Sequence, residues 1–316
     1  MNFELDEQQA AFRDLIREFA DRSIRPVARE WEHSGRYPTE IVEEMARMGL
    51  FGMLVPEEFG GIGLDAVSYA IVFEELSRAW MGVSGVLGSH SMAALILARH
   101  GTDEQRRRWL PGMATGELRS GLALTEPDAG SDLQGIRTVA RKEDGCYVVS
   151  GTKTWITNAR HAAVLPVLVK TDPSASPAHH GMSLLMLEKG TAGFQVTRDI
   201  EKLGYKGPES SEVVLAGCRV PVENLVGGVE GRGLQQALSG LEFGRCNIAG
   251  RAVGVAQEAL DRALAYGQQR QAFGQPIGGF QAVQLKLADM ATEVQAARLL
   301  TWWAASRLDA GQRADL

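Results

Sequence analysis

Cysteine is scarce, with Cys146, Cys218 and Cys246 isolated and odd in number. That excludes a disulfide framework and a Cys-based zinc spacing, and it suits a reducing compartment, so a cytoplasmic protein is expected. Positive charge is not in excess. Lys and Arg total 33 against 39 Asp and Glu, a net charge of −6, which argues against a nucleic-acid partner held by bulk charge. No apolar run reads as long enough to span a bilayer, so no membrane span is expected. The opening Asn2-Phe-Glu-Leu-Asp-Glu-Gln-Gln is acidic and polar, unlike a signal or transit peptide. Proline is missing from Leu234 to Gln268. No internal repeat and no low-complexity segment breaks the chain.

What is present is a globular composition, 45% hydrophobic and 23% charged, in a chain with room for more than one domain. Residues 1–118 read as helices. Asp6 with Gln9 and Thr102 with Gln105 form capping-box patterns. Thr39 follows Pro38 at a helix start that Gly49 closes, and two further helices cover 65–79 and 82–99. From 119 to 230 the pattern changes to short β-type runs separated by Gly, Pro, Asp and Ser, a compact antiparallel β-domain. From 231 to 316 it is helical again. One long helix begins after Gly233, Gln275-Pro-Ile-Gly-Gly279 breaks it, and a second runs from about Phe280 to Leu308. Such a hairpin leaves apolar faces in need of partners. Gly227-Gly-Val-Glu-Gly-Arg-Gly233 lacks the Gly-x-Gly-x-x-Gly spacing of a dinucleotide fold and reads as a loop that launches the long helix. His179-His180 has no third ligand in view, so no metal is expected.

Two segments carry chemistry. Leu122-Ala-Leu-Thr-Glu-Pro-Asp-Ala-Gly-Ser-Asp132 puts hydroxyls, Pro and Gly into one short loop, able to turn backbone N–H groups toward an anion or a polar ring edge. Lys153-Thr-Trp-Ile-Thr-Asn158 sets Trp155 two positions before Thr157, so both side chains share one face of a strand. Together they suggest a pocket for a flat, hydrogen-bonding, phosphate-bearing cofactor.

In this order and spacing the two segments resemble those of the acyl-CoA dehydrogenase family. So do Glu57-Glu-Phe-Gly-Gly-Ile-Gly63, Gly244-Arg245 and Arg270-Gln-Ala-Phe-Gly274. The resemblance implies an α+β fold: a helical N-terminal domain, a middle antiparallel β-barrel domain and a C-terminal helical bundle. It implies FAD as cofactor, contacted by Leu122, Leu124, Thr125, Gly130, Ser131, Trp155, Ile156 and Thr157. Arg270, Phe273, Phe280 and Gln281 match positions that reach the FAD of a neighbouring subunit, which implies a dimer or tetramer. Ser131, Glu242, Phe243 and Arg245 match contacts to the CoA portion of a thioester substrate. The implied reaction is α,β-dehydrogenation of an acyl-CoA to the 2-enoyl-CoA in fatty acid metabolism. The α-proton leaves to a carboxylate base, the β-hydride moves to flavin N5, and electrons pass to an electron-transferring flavoprotein or similar acceptor.

The sequence departs from the family at the base. The usual glutamate, and a Gln-x-x-Gly-Gly-x-Gly-Tyr segment that contacts FAD, are expected beyond Leu316, with only about the first half of the bundle present. The alternative base position, just before Arg245, is Gly244. Glu242 lies about 200° away round a helix, so the catalytic residue is unknown and this chain alone is expected to be inactive. Ser84 stands where glutaryl-type members carry an arginine, which makes a dicarboxylic substrate less expected. Met81-Gly-Val-Ser-Gly-Val-Leu-Gly88 would give a roomy acyl pocket if it forms the floor. Two alternatives stay open: a non-catalytic flavin- or CoA-binding protein, and a subunit of a hetero-oligomer whose partner supplies the base.

Overall fold

A computed structural model describes residues 4–312. Helices α1 (Glu7–Phe19), α2 (Arg25–Ser34), α3 (Thr39–Arg47), α4 (Ala66–His100) and α5 (Asp103–Thr115) come first. Strands β1 (Val139–Glu143), β2 (Cys146–Thr157), β3 (Val164–Lys170), β4 (Met182–Glu188), β5 (Phe194–Asp199) and β6 (Ser210–Pro221) follow. Then come α6 (Gly233–Gln269), the two-residue strands β7 (Gln271–Ala272) and β8 (Gln275–Pro276), and α7 (Gln281–Asp309).

Both expected capping boxes form. The Asp6 carboxylate accepts from Gln9 N at 2.8 Å, and Gln105 N donates to Thr102 Oγ1 at 3.3 Å, each meeting an otherwise orphan amide of a first turn. The expected division near residue 80 survives as one non-helical residue, Trp80 (φ −161°, ψ 103°), inside a merged α4. One expectation needs correcting. By length and composition α4 can cross a membrane, since an 18-residue window has mean hydropathy 1.5. Yet 78% of that window is buried within the protein. Most of its apolar surface is covered by protein, which a count of charges along the sequence does not register.

By contacts the described residues gather into two compact units. The first holds residues 4–30, 65–84 and 245–312. Ile16, Phe19, Ile24, Tyr69, Phe73 and Leu76 are buried there. The helices approach closely at Gly250 and Gly254, where a Cβ would strike the carbonyls of Ala70 and Glu74. Asp309 Oδ1 accepts from Ala66 N at 2.7 Å, so the end of α7 caps the start of α4. Ile248, Leu264, Tyr266, Leu285 and Leu300 of α6 and α7 remain exposed, the uncovered apolar face expected of the hairpin.

The second unit holds residues 31–64 and 85–244. Its sheet has the order β4-β3-β1-β2-β6-β5. The pairings are antiparallel except for β1 with β3, which run parallel at Val139 and Lys170. β3 is buried on both faces. Val164 and Leu168 join Leu97, Trp109 and Met113 in one core cluster, while Leu165, Val167 and Val169 join Tyr147, Ile156 and Leu215 in another. A strand covered on both faces reads as a continuous apolar run, which is what Val164–Val169 shows.

Candidate functional site

The Thr125 loop lies between two strands of the second unit. Ala123 N donates to Pro166 O at 3.0 Å and Leu168 N to Ala123 O at 3.0 Å, which fixes the segment along β3. Thr154 N donates to Thr125 O at 2.9 Å, which fixes its far end to β2. Glu126 and Ala129 exchange backbone hydrogen bonds of 2.8 and 3.2 Å, so Pro127-Asp128 is a tight turn. Beneath the turn is a pair that the sequence reading missed. Lys153, fully buried, donates from Nζ to Glu126 Oε1 at 2.8 Å and to Leu124 O at 3.0 Å. The Glu126 carboxylate also accepts from Arg137 N at 2.6 Å and Thr138 N at 3.0 Å.

Burial pulls the Lys153 ammonium down to about 8 against the opposing attraction of Glu126. For Glu126, burial works to raise the pKa, but the pull of Lys153 and the hydrogen bonds from its amide donors outweigh it and hold the carboxyl below its usual value. The only sequence signal for this pair is two ionisable residues inside otherwise polar-apolar motifs. Without the fold, nothing says that they meet.

Trp155 is placed by a bulge. The β2–β6 register shifts between Lys153 and Ile156, and Trp155 takes φ 61°. A positive φ is uncommon for a bulky residue and is held here by the ladder on either side. The indole is 54% exposed and Thr157 is half-buried, so the two expected residues do present outward together. Ile156 turns into the core, leaving only its backbone for a ligand. Asn158 closes the strand. Its Nδ2 donates to Val86 O (2.8 Å), Ser89 Oγ (3.0 Å) and Ser120 O (3.2 Å). His90 completes this support: Ser120 N donates to its Nδ1 at 3.1 Å, and its Nε2 lies 3.0 Å from Met113 O. Full burial lowers His90 to about 4 and keeps it neutral, donating through Nε2 and accepting through Nδ1.

The hydroxyls of Thr125, Ser131 and Thr157 have no protein partner among the described residues. Gly130 and Ser131 are exposed at the loop end, and Leu122 and Thr125 are half-buried. Uncommitted hydroxyls beside a half-exposed indole fit a flat group with polar edges and a phosphate tail, and FAD is such a group.

A cavity of about 880 Å³ lies in the same unit, walled by His179, His180, Glu230, Arg232, Gln235 and Glu242. The two histidine rings meet edge-on, 4.4 Å between centroids. Among the described residues no cluster able to hold a metal exists. Gly231, at φ 78°, permits the wall, because a Cβ there would strike His180 O. The Gly227–Gly233 run does launch α6, as expected. Phe243 is buried under the Arg99 guanidinium at 4.8 Å. Gly244 abuts the Met92 thioether. Arg245 is exposed on α6.

The remaining expected residues lie in the first unit. Phe273 (φ 50°) and Gly274 (φ 79°) form the turn of the β7–β8 hairpin, which the sequence reading took for a plain break. Phe273 is 97% exposed, 6.1 Å from the Phe280 ring and edge-on to it. Arg270 and Gln281 are exposed at the two ends of the same turn.

Three family models fall on the chain in succession: the acyl-CoA dehydrogenase N-terminal domain on residues 6–117, the middle domain on 121–218 and the C-terminal domain on 231–316. A curated relative, (2S)-methylsuccinyl-CoA dehydrogenase of Cereibacter sphaeroides, is 43% identical across 99% of the chain, and the chain spans 58% of its length. Butyryl-CoA dehydrogenase from Megasphaera elsdenii superposes with a TM-score of 0.95 at 34% identity, over 99% of this chain and 82% of that one. PigA, solved with FAD and proline, gives 0.94 at 30% identity with the same coverages. The anchored loop, the bulged tryptophan strand and the helical hairpin thus belong to one inherited architecture, and the chain is a member of the acyl-CoA dehydrogenase family.

Proposed function

We propose that the protein is an FAD-dependent oxidoreductase that dehydrogenates an acyl-CoA thioester between its α and β carbons. The observation that carries this reading is the Thr125–Ser131 loop, pinned to β2 by Lys153 and Glu126 beside an outward-facing Trp155. Leu122, Leu124, Thr125, Gly130 and Ser131 hold the cofactor from the loop. Trp155 covers its flat face, with Thr157 and the Ile156 backbone at its edge. FAD, when bound, supplies the hydride acceptor.

The chain's own groups bind, orient and exclude water. Ser131, Glu242, Phe243 and Arg245 take the CoA portion, and the cavity beside Glu242 has the size and polarity for part of that tail. Arg270, Phe273, Phe280 and Gln281 serve the FAD of a second copy; an aromatic that is 97% exposed at a hairpin tip is well suited to that role. Gly244 offers no side chain and Glu242 lines the CoA cavity, so no base is assigned among these residues. The functional division follows residues 1–118, 119–230 and 231–316. The electron acceptor is a partner flavoprotein, and the oligomer is at least a dimer. Methylsuccinyl-CoA, named for the Cereibacter relative, carries a carboxylate, whereas Ser84 here offers no cation for one; a monocarboxylic acyl group is favoured.

FAD titration of the apoprotein tests the site. Binding should perturb the flavin absorbance, and Trp155→Ala with Thr157→Ala should weaken retention roughly tenfold or more, the scale of one aromatic face plus one hydrogen bond. Wild-type affinity and an unchanged spectrum in both variants would place the flavin elsewhere.

A further inference from the structure

The cavity beside Glu242 has one wall that is pinned along its length. Residues 227–232 form it and lead into α6. Gly227 N donates to Gln105 Oε1 at 3.0 Å, and Gly231 N to Ser183 Oγ at 3.0 Å. Ser183 is itself fully buried, with its hydroxyl 2.8 Å from Thr171 Oγ1. Between these points Tyr147 of β2, 2% exposed, donates from its hydroxyl to Glu230 Oε1 at 2.5 Å. Burial, together with the carboxylate beside it, raises the phenol above its ordinary value, so the phenol remains the donor. Every one of these residues belongs to the second unit.

The charges around the cavity do not pair off. Arg232 shares it with two carboxylates, Glu230 and Glu242. Yet among the described residues the Arg232 guanidinium has no ion pair and no hydrogen bond. Other partly exposed arginines of the same unit do find acids: Arg108 reaches Glu188 at 2.6 Å and Arg160 reaches Asp199 at 2.8 Å. Glu230, two residues from Arg232, is already taken by the Tyr147 phenol. The rings of His179 and His180 meet each other and have no side-chain hydrogen bond among the described residues. One guanidinium and two imidazoles are therefore left for a ligand in a cavity of about 880 Å³.

We propose that this cavity is an anion site for a phosphate at the nucleotide end of the thioester, with Arg232 as its cation, His179 and His180 as further hydrogen-bond donors, and Tyr147 as the positioning residue that keeps Glu230 from quenching Arg232. This rests on the acyl-CoA reading above. A guanidinium held without a partner breaks no existing ion pair when the anion arrives, so the charge-assisted contact adds to affinity. Tyr147 contributes indirectly. Its bond to Glu230 is what leaves Arg232 available on a loop that cannot shift. Recognition through a phosphate makes the protein select a CoA thioester over the same acyl group on a phosphate-free pantetheine.

Calorimetric titration of the 316-residue protein, FAD added, with butyryl-CoA, butyryl-pantetheine and inorganic pyrophosphate tests this without requiring turnover. The wild type should bind butyryl-CoA more tightly than butyryl-pantetheine. Arg232→Gln should lower the butyryl-CoA affinity roughly tenfold, the worth of one charge-assisted hydrogen bond, and leave butyryl-pantetheine unchanged. Tyr147→Phe should lower the butyryl-CoA affinity roughly threefold, and adding Glu230→Gln to it should restore the loss, which a merely structural tyrosine would not allow. A thermal scan of each variant establishes folding. Equal wild-type affinity for the two thioesters overturns the phosphate site while leaving the acyl-thioester reading standing. So does a folded Arg232→Gln that loses pyrophosphate but keeps the wild-type preference for butyryl-CoA, since the site would then hold free phosphate only. If Tyr147→Phe binds as the wild type does, or is not restored by Glu230→Gln, the positioning role is wrong. Binding of neither thioester by the wild type brings down the parent reading and this one with it.

Discussion

Carboxylates are buried in both units, in contrasting company. In the second unit Glu126 is met by one ammonium, Lys153, and two backbone amides, with both side chains sealed from solvent. In the first unit Glu74 and Glu75 are met by guanidinium groups. Arg17 bonds Glu75 in a two-point fork of 2.7 and 3.0 Å, Arg78 reaches Glu75 at 3.1 Å and Asp261 at 2.9 Å, and Arg298 bonds Glu74 at 2.8 Å and Gln257 at 2.7 Å. This second group lines a cavity of about 610 Å³ and includes Arg17, 42% exposed. The consequences differ in sign. Glu126 is held below its usual carboxyl value. Glu74 is pushed above it, because burial outweighs Arg298. A sealed pair that fixes a loop works as a positioning device. A shared, partly wet network ties helices together and leaves one member raised by its burial.

The largest break in this contrast should come from Lys153→Met. It strands the Glu126 carboxylate and should cost about 3–5 kcal/mol in urea-denaturation stability. Because the same pair pins the Thr125 loop, FAD should also be lost on gel filtration. Retention of FAD with full stability would show that the pair does neither job. Arg298→Met should cost less, about 3 kcal/mol at most, since Arg78 still attracts Glu74 and Gln257 can regroup. Its effect should be on stability alone, with the spectrum of bound FAD unchanged.

The smallest effect lies in pH. A depressed carboxyl gives stability that is present above the unfolded value of 4.5 and lost as pH falls through the folded value below it. A raised one acts oppositely: its contribution is full below 4.5 and is lost as pH rises through the folded value above it. Urea midpoints measured from pH 7 down to 3 should therefore separate the two. Glu126→Gln should remove part of the loss below 4.5. Glu74→Gln should remove a rise on approaching 4.5 from above. Parallel profiles for the two variants would mean that the two settings are electrostatically alike.

Much of this was readable along the chain, because the signals were local. Capping boxes at Asp6 and Thr102, the proline-free run from Leu234 and the order of the two motifs each depend on neighbours within a few residues. That Trp155 and Thr157 both reach solvent was also legible, although the bulge at Trp155 interrupts the alternation that suggested it. What escaped reading depends on residues far apart in sequence. Lys153 meets Glu126 across 27 positions, and Asn158 meets Val86 across 72. The bulge that gives Trp155 its positive φ arises from mismatch with β6 some sixty positions on, and no pattern within β2 announces it. The length and apolarity of α4 were under-read for a related reason. Its apolarity is answered by packing that only the folded chain supplies.

One small contact ties the start of α4 to the last part of the chain. The first amide of α4 finds its acceptor on Asp309, 243 residues later. At a ribosomal rate of 5–20 residues per second that carboxylate emerges roughly 12–50 s after Ala66. Arg298, which balances Glu74, follows it by 224 residues. For that interval the start of α4 has only its local cap, Ser68 N donating to Asp65 Oδ1 at 2.6 Å, with Arg17 and Arg78 as its counter-charges. The second unit, whose sheet is finished by Pro221, can meanwhile close around its own half of the same helix. The Thr125 loop and its sheet thus leave the ribosome well before the helices that complete the first unit exist.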